Sequence, residues 1–171
     1  MRRHLVVCFT CLLLVLCLFG CRRSVTATPP VSTDFSCDFK ATYRELSVAG
    51  TLTRRSAGTV SLSFTEPETL NGLTASWDGD AVTLSLLGLQ YTVSPESIPE
   101  AALGEELLAV FDAALRGEGK TEQDKAVTTF TGTYNNQTYT YRYDTKSGAP
   151  LSLIVPALPL SVTFNECQLL Q

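Results

Sequence analysis

Histidine is the scarcest functional side chain in this sequence: the 171 residues contain one, His4. It heads a segment read below as removed, which leaves the remaining chain with none. Serine-histidine-aspartate and cysteine-histidine catalysis both need an imidazole to take and return a proton, so neither can operate there. Histidine-ligated metal sites are excluded for the same reason. Phosphate-cradling Gly-x-x-x-x-Gly-Lys and dinucleotide-binding Gly-x-Gly-x-x-Gly loops are absent, as is Ser-x-x-Lys. No metal and no cofactor is therefore expected. Charge is sparse as well, at 18% of residues with a formal net charge of −4. No basic patch or run of like charge offers a surface to nucleic acid. A bilayer-spanning stretch is also missing, because the longest apolar run, Leu5 to Phe19, has fifteen residues, against the about 20 that a transmembrane helix needs.

That run has the make-up of a signal-peptide core. Met1-Arg2-Arg3-His4 supplies the positive start, and only Thr10 interrupts the apolar residues that follow. Leu18-Phe19-Gly20-Cys21 then resembles the bacterial lipobox, with Leu at −3, a small Gly20 at −1 and Cys21 at +1. The resemblance implies cleavage between Gly20 and Cys21 and a diacylglycerol on the Cys21 thiol. It also implies a lipid anchor on the extracytoplasmic face of the cell membrane. Each buried methylene of such a chain contributes about 0.8 kcal/mol, and stable anchoring takes more than one chain. Loss of Arg2 and Arg3 with the signal takes the formal charge from −4 to −6.

Three regions follow: a signal over 1–20, a lipidated cysteine and tether over 21–33, and one domain over 34–171. The tether, Arg22 to Thr33, is rich in Ser, Thr and Pro and has no hydrophobic period. From Phe35 the period becomes two. Phe35, Cys37, Phe39, Ala41 and Tyr43 alternate with polar residues, as a half-buried strand does. Similar alternation marks Leu46–Thr53, Val60–Phe64, Leu73–Trp77, Val82–Leu86 and Leu89–Val93. Asn71-Gly72 and Asp78-Gly79 read as turns, the latter as a two-residue hairpin.

A helix interrupts the strands. Ser97-Ile98-Pro99-Glu100 matches a capping box, and Leu103, Leu107, Phe111 and Leu115 fall four apart as one apolar stripe ending at Gly117. Strands resume over Ala126–Tyr134, Thr138–Asp144, Leu151–Val155 and Leu158–Phe164. The sum is an α+β domain, mostly antiparallel β. Its expected form is a curved sheet or half-barrel of about ten strands, with the helix on the concave face because no second sheet covers it.

Phe64-x-x-Pro67-x-x-Leu70 leaving a strand, and Asp144-x-x-x-Gly148-x-Pro150-Leu151 entering the last ones, resemble the lipoprotein-carrier half-barrels of the LolA/LolB type. The resemblance spans residues 35–167 and implies a curved sheet closed over an apolar cavity. This chain departs from that family in running from its tether straight into a strand, without a long leading helix.

Two function readings follow from these residues. In the first the domain binds a lipid or other apolar ligand, with Phe39, Tyr43, Phe64, Trp77, Leu107 and Phe111 lining the pocket. In the second these aromatics and leucines fill a solid core, and the domain is an interaction or assembly module with a protein partner the sequence does not name. A distant third is a hydrolase using only carboxylates, for which Glu66/Glu68, Asp78/Asp80 and Glu105/Glu106 are the close pairs. No enzyme is expected. Cys37 and Cys167 are the cysteines left in the domain. They either form one disulfide or stay separate as small apolar residues. Strict alternation sets them on opposite faces, Cys37 with Phe35 and Phe39, and Cys167 with Thr163 and Asn165, so a bulge or a frayed end is needed for them to meet.

Overall fold

A computed structural model describes residues 31–97 and 102–170. The segment read as the signal, together with Gly20, Cys21 and the tether as far as residue 30, lies outside the described residues. Most of the capping box does too.

Eleven strands form one antiparallel sheet. In chain order they are β1 (Phe35–Tyr43), β2 (Leu46–Arg54), β3 (Val60–Glu66), β4 (Thr74–Trp77), β5 (Val82–Leu86), β6 (Leu89–Val93), β7 (Lys120–Asp124), β8 (Val127–Tyr134), β9 (Gln137–Asp144), β10 (Pro150–Val155) and β11 (Leu160–Leu169). The spatial order is β6-β5-β4-β3-β2-β1-β11-β10-β9-β8-β7. Two meanders thus meet where the first strand pairs with the last. A long connection runs from β6 at one edge of the sheet to β7 at the other, and it contains the helix α1 (Ala102–Arg116).

β1, β4 and β9 keep the expected alternation, and β11 keeps it as far as its bulge. Phe35, Cys37, Phe39 and Ala41 of β1 face inward with Leu52 of β2, Leu62 of β3, Leu153 of β10 and Val162 of β11, and all are buried. Tyr139, Tyr141 and Tyr143 join them from β9 as part of the core. The helix supplies Leu103, Leu107, Val110, Phe111 and Ala114 to the same layer.

One strand is more than the sequence pattern predicts. β7 reads Lys-Thr-Glu-Gln-Asp and is exposed throughout. With neither face buried it has no reason to alternate, and only pairing with β8 makes it a strand. The last strand also corrects an expectation. Ser36 pairs with Gln168 but Asp38 pairs with Asn165, so two residues of β11 stand opposite Cys37. Glu166, at φ 50°, is the extra residue. The bulge shifts Cys167 off the wet face, and Cys37 and Cys167 are joined by a disulfide across the two terminal strands. Because the bond spans a separation of 130 residues, the chain-entropy model gives it a stabilisation of about 5 kcal/mol.

Candidate functional site

The helix fills one half of the concave face. Phe111 sits edge-on to Phe35 and Tyr141, each with ring centroids 5.4 Å away, and 5.9 Å from Phe164. Phe111 and Leu107 are fully buried. The expectation that these two line a pocket is corrected: both are buried core, with the Phe111 ring packed among Phe35 of β1, Tyr141 of β9 and Phe164 of β11.

The other half is open. An apolar groove of about 380 Å³ runs over β2 to β5. Its walls are Tyr43, Leu46 and Val48 from the first hairpin, Phe64 from β3, and Trp77 and Leu84 from β4 and β5. Leu103 is the residue of the helix that reaches it. Pro67 and Leu70 form the rim on a short 3-10 turn, Glu68–Leu70, whose Leu70 N–H donates to the Pro67 carbonyl at 2.8 Å. The Phe64-x-x-Pro67-x-x-Leu70 pattern therefore lies along one side of the groove. Of the pocket residues expected from sequence, Tyr43, Phe64 and Trp77 come together here. Phe39 stands behind them, buried, with its ring 6.0 Å from that of Phe64.

A close approach fixes the inner end of the groove. Gly104 lies on the face of Trp77, where a Cβ would stand 2.4 Å from the indole carbons. Glycine costs a helix about 1 kcal/mol relative to alanine, and here its missing side chain lets the helix rest on the ring. Trp77 Nε1 is buried and has no acceptor among the described residues. No charged residue lines the groove, and Tyr43 and Thr69 are the hydroxyl-bearing side chains among its walls. A volume of this size, lined mainly by apolar side chains with few polar groups, falls within the range of small-molecule sites, about 300–1,000 Å³.

No protein-family model matches the chain, and no curated protein matches it in sequence. Its fold is similar to that of an uncharacterized conserved protein from Thermus thermophilus. The TM-score is 0.53 and the identity 10%, over 82% of this chain and 80% of that one. A LolA superfamily protein from Nitrosomonas europaea is a looser match, at TM-score 0.41 and 7% identity over 84% of this chain and 89% of that one. The Thermus likeness shows the fold alone.

The carboxylate pairs sit in different settings. Glu66, Glu68, Asp78 and Asp80 are exposed. Asp78 accepts the N–H groups of Asp80 at 3.2 Å and Ala81 at 2.9 Å, which makes it a turn residue. Glu105 accepts the Tyr134 hydroxyl at 2.9 Å. Glu106 is different. It is buried, its Oε2 has no partner among the described residues, and burial, aided by neighbouring Glu105, raises its pKa to about 7. Tyr139, also buried with an unpartnered hydroxyl, is pushed up to about 12 by desolvation.

Sequence reasoning did not anticipate the buried cation. Arg54, at the end of β2, is fully buried and pairs with Asp112 of the helix. Its guanidinium lies 5.5 Å from the centre of the Phe111 ring. Burial lowers its pKa and the Asp112 carboxylate opposes that shift. The inward parity of position 54, in register with Phe35, was the available signal; its outward neighbour Arg55 hid it inside an ordinary polar turn.

Proposed function

We propose that this protein is a lipid-anchored, extracytoplasmic binding protein that holds an apolar molecule in the groove over β2 to β5. The observation that carries the reading is an uncharged, mainly apolar groove of about 380 Å³. A protein that needed only a folded scaffold would gain by closing it, since an apolar surface left to water forgoes about 25 cal/mol for each Å². Its chemistry suits an alkyl or isoprenoid chain with no charge at the buried end. Anchoring rests on the lipobox-like Leu18-Phe19-Gly20-Cys21, and the lack of histidine beyond His4 supports a binding rather than a catalytic role.

The rival is an interaction module without a ligand, favoured by the complete burial of Leu107 and Phe111. Uptake of a fluorescent fatty acid by the domain separates the two. Saturable uptake, displaced by unlabelled fatty acid, is expected; no uptake would leave the module.

A further inference from the structure

Among the described residues, the two edge strands of the sheet are built differently. β7 carries Lys120, Glu122 and Asp124, the kind of charge that discourages a further strand. β6, Leu89-Gln90-Tyr91-Thr92-Val93, has no charge or proline, and residues 81–94 carry no charge at all. It pairs with β5 without a bulge. Exposed apolar side chains gather there: Leu87 at the hairpin tip is 94% exposed, Leu89 77% and Tyr91 69%. Proteins that keep an edge strand single usually blunt it with lysine, proline or a bulge. Among the described residues, β6 has none of these.

The ladder determines what this edge can accept. Leu87 and Gly88, both at positive φ, form a two-residue turn closed by the pair Leu86 and Leu89. The pair that closes such a turn exchanges both hydrogen bonds, and every second pair does so after it. Leu89, Tyr91 and Val93 thus turn their backbone groups toward β5, and Gln90 and Thr92 present theirs to the outside.

We propose that β6 pairs antiparallel with β6 of a second copy of this chain, with Tyr91 facing the partner's Tyr91 across the twofold axis. In the register set by the outward backbone groups, Gln90 lies opposite the partner's Thr92 and Leu89 opposite the partner's Val93. Apolar then meets apolar on the concave face, polar meets polar on the other, and no like charges meet. An apolar shelf of about 380 Å³ against Leu84, Leu86, Leu89 and Tyr91 is covered by its symmetry mate. Leu84 also lines the groove, so pairing makes the two apolar faces continuous. The pairing holds whether or not the groove takes a ligand. One short strand and its shelf make an interface at the small end of the specific range, so chemical trapping reads it better than co-elution.

The test is cysteine cross-linking of the full chain in cell membranes under mild oxidation. Residues facing each other in a non-hydrogen-bonded antiparallel pair have Cα atoms about 4.5 Å apart, close enough for a disulfide. Tyr91→Cys should give a disulfide-linked dimer that the parent chain lacks. Leu89→Cys alone should not, whereas Leu89→Cys with Val93→Cys should. Adding Gln90→Lys and Thr92→Lys to Tyr91→Cys should remove the dimer. Leu89 and Tyr91 are exposed, so Tyr91→Cys and Leu89→Cys should keep the parent's melting behaviour. No dimer from Tyr91→Cys would overturn the proposal, as would equal cross-linking from Leu89→Cys alone. Trapping of Tyr91→Cys only on a different protein, or its protection by lipid without cross-linking, would overturn it in favour of another occupant.

Discussion

Replacing Asp112 with alanine should destabilise the domain far more than a helix-surface substitution would. Arg54 is fully buried, and Asp112 is the side chain that bonds its guanidinium. The Gly58 N–H donates to the same carboxylate at 3.1 Å. Arg54 Nε and Nη1 have no acceptor among the described residues, so the variant leaves the cation with only the face of Phe111. Breaking a buried pair in this way costs about 3–5 kcal/mol. Alanine's better helix propensity returns about 0.5 kcal/mol or less. In a domain of this size 1 kcal/mol moves the melting temperature by about 2–4 °C, so the drop should be roughly 6–20 °C. Circular dichroism melts of residues 31–171 measure it. Arg54→Met combined with Asp112→Ala should recover much of the loss, because an apolar side chain then fills the site without a charge to satisfy. A single variant that melts like the parent, or a double variant less stable than the single, would refute the reading of Arg54 as a buried cation dependent on one carboxylate.

Three other outcomes are expected. Cys21→Ala should abolish acyl labelling and leave the chain uncleaved between positions 20 and 21; normal cleavage would point to an ordinary signal peptide. Glu106 has a folded pKa of about 7, above its unfolded value, so the folded state holds its proton longer. Stability should therefore fall as pH rises from about 4.5 to 7, by up to about 3 kcal/mol, and urea midpoints of Glu106→Gln should lose that dependence. Phe111→Ala should cost about 3–5 kcal/mol by emptying the core under the helix, read from the same denaturant curves, and should leave uptake by the groove intact.

Much of this architecture is legible in the sequence because one face of each strand is wet. Period-two alternation finds ten of the strands, and the four-residue spacing from Leu103 to Leu115 finds the helix and its stripe, of which Leu103, Leu107 and Phe111 are buried and Leu115 is exposed. β7 is hidden because a strand exposed on both faces needs no apolar residue. The Cys37–Cys167 contact is hidden because one bulge at Glu166 inverts parity, and alternation carries no mark of a bulge. The site is legible in part: Tyr43, Phe64 and Trp77 meet in the groove, while Leu107 and Phe111 belong to the core. Composition cannot separate a lining aromatic from a packed one. What separates them is where the helix stops covering the sheet, a tertiary fact fixed by the contact of Gly104 with Trp77.

The central claim is that the groove over β2 to β5 takes an apolar ligand. Its most direct test is a titration of residues 31–171 with a fluorescent fatty acid, set against Leu73→Trp, which adds bulk at a half-buried wall of the groove. Saturable uptake by the parent, lost in Leu73→Trp at unchanged stability, is the predicted result. Uptake that is absent from the parent, or that persists undiminished in Leu73→Trp, would contradict it.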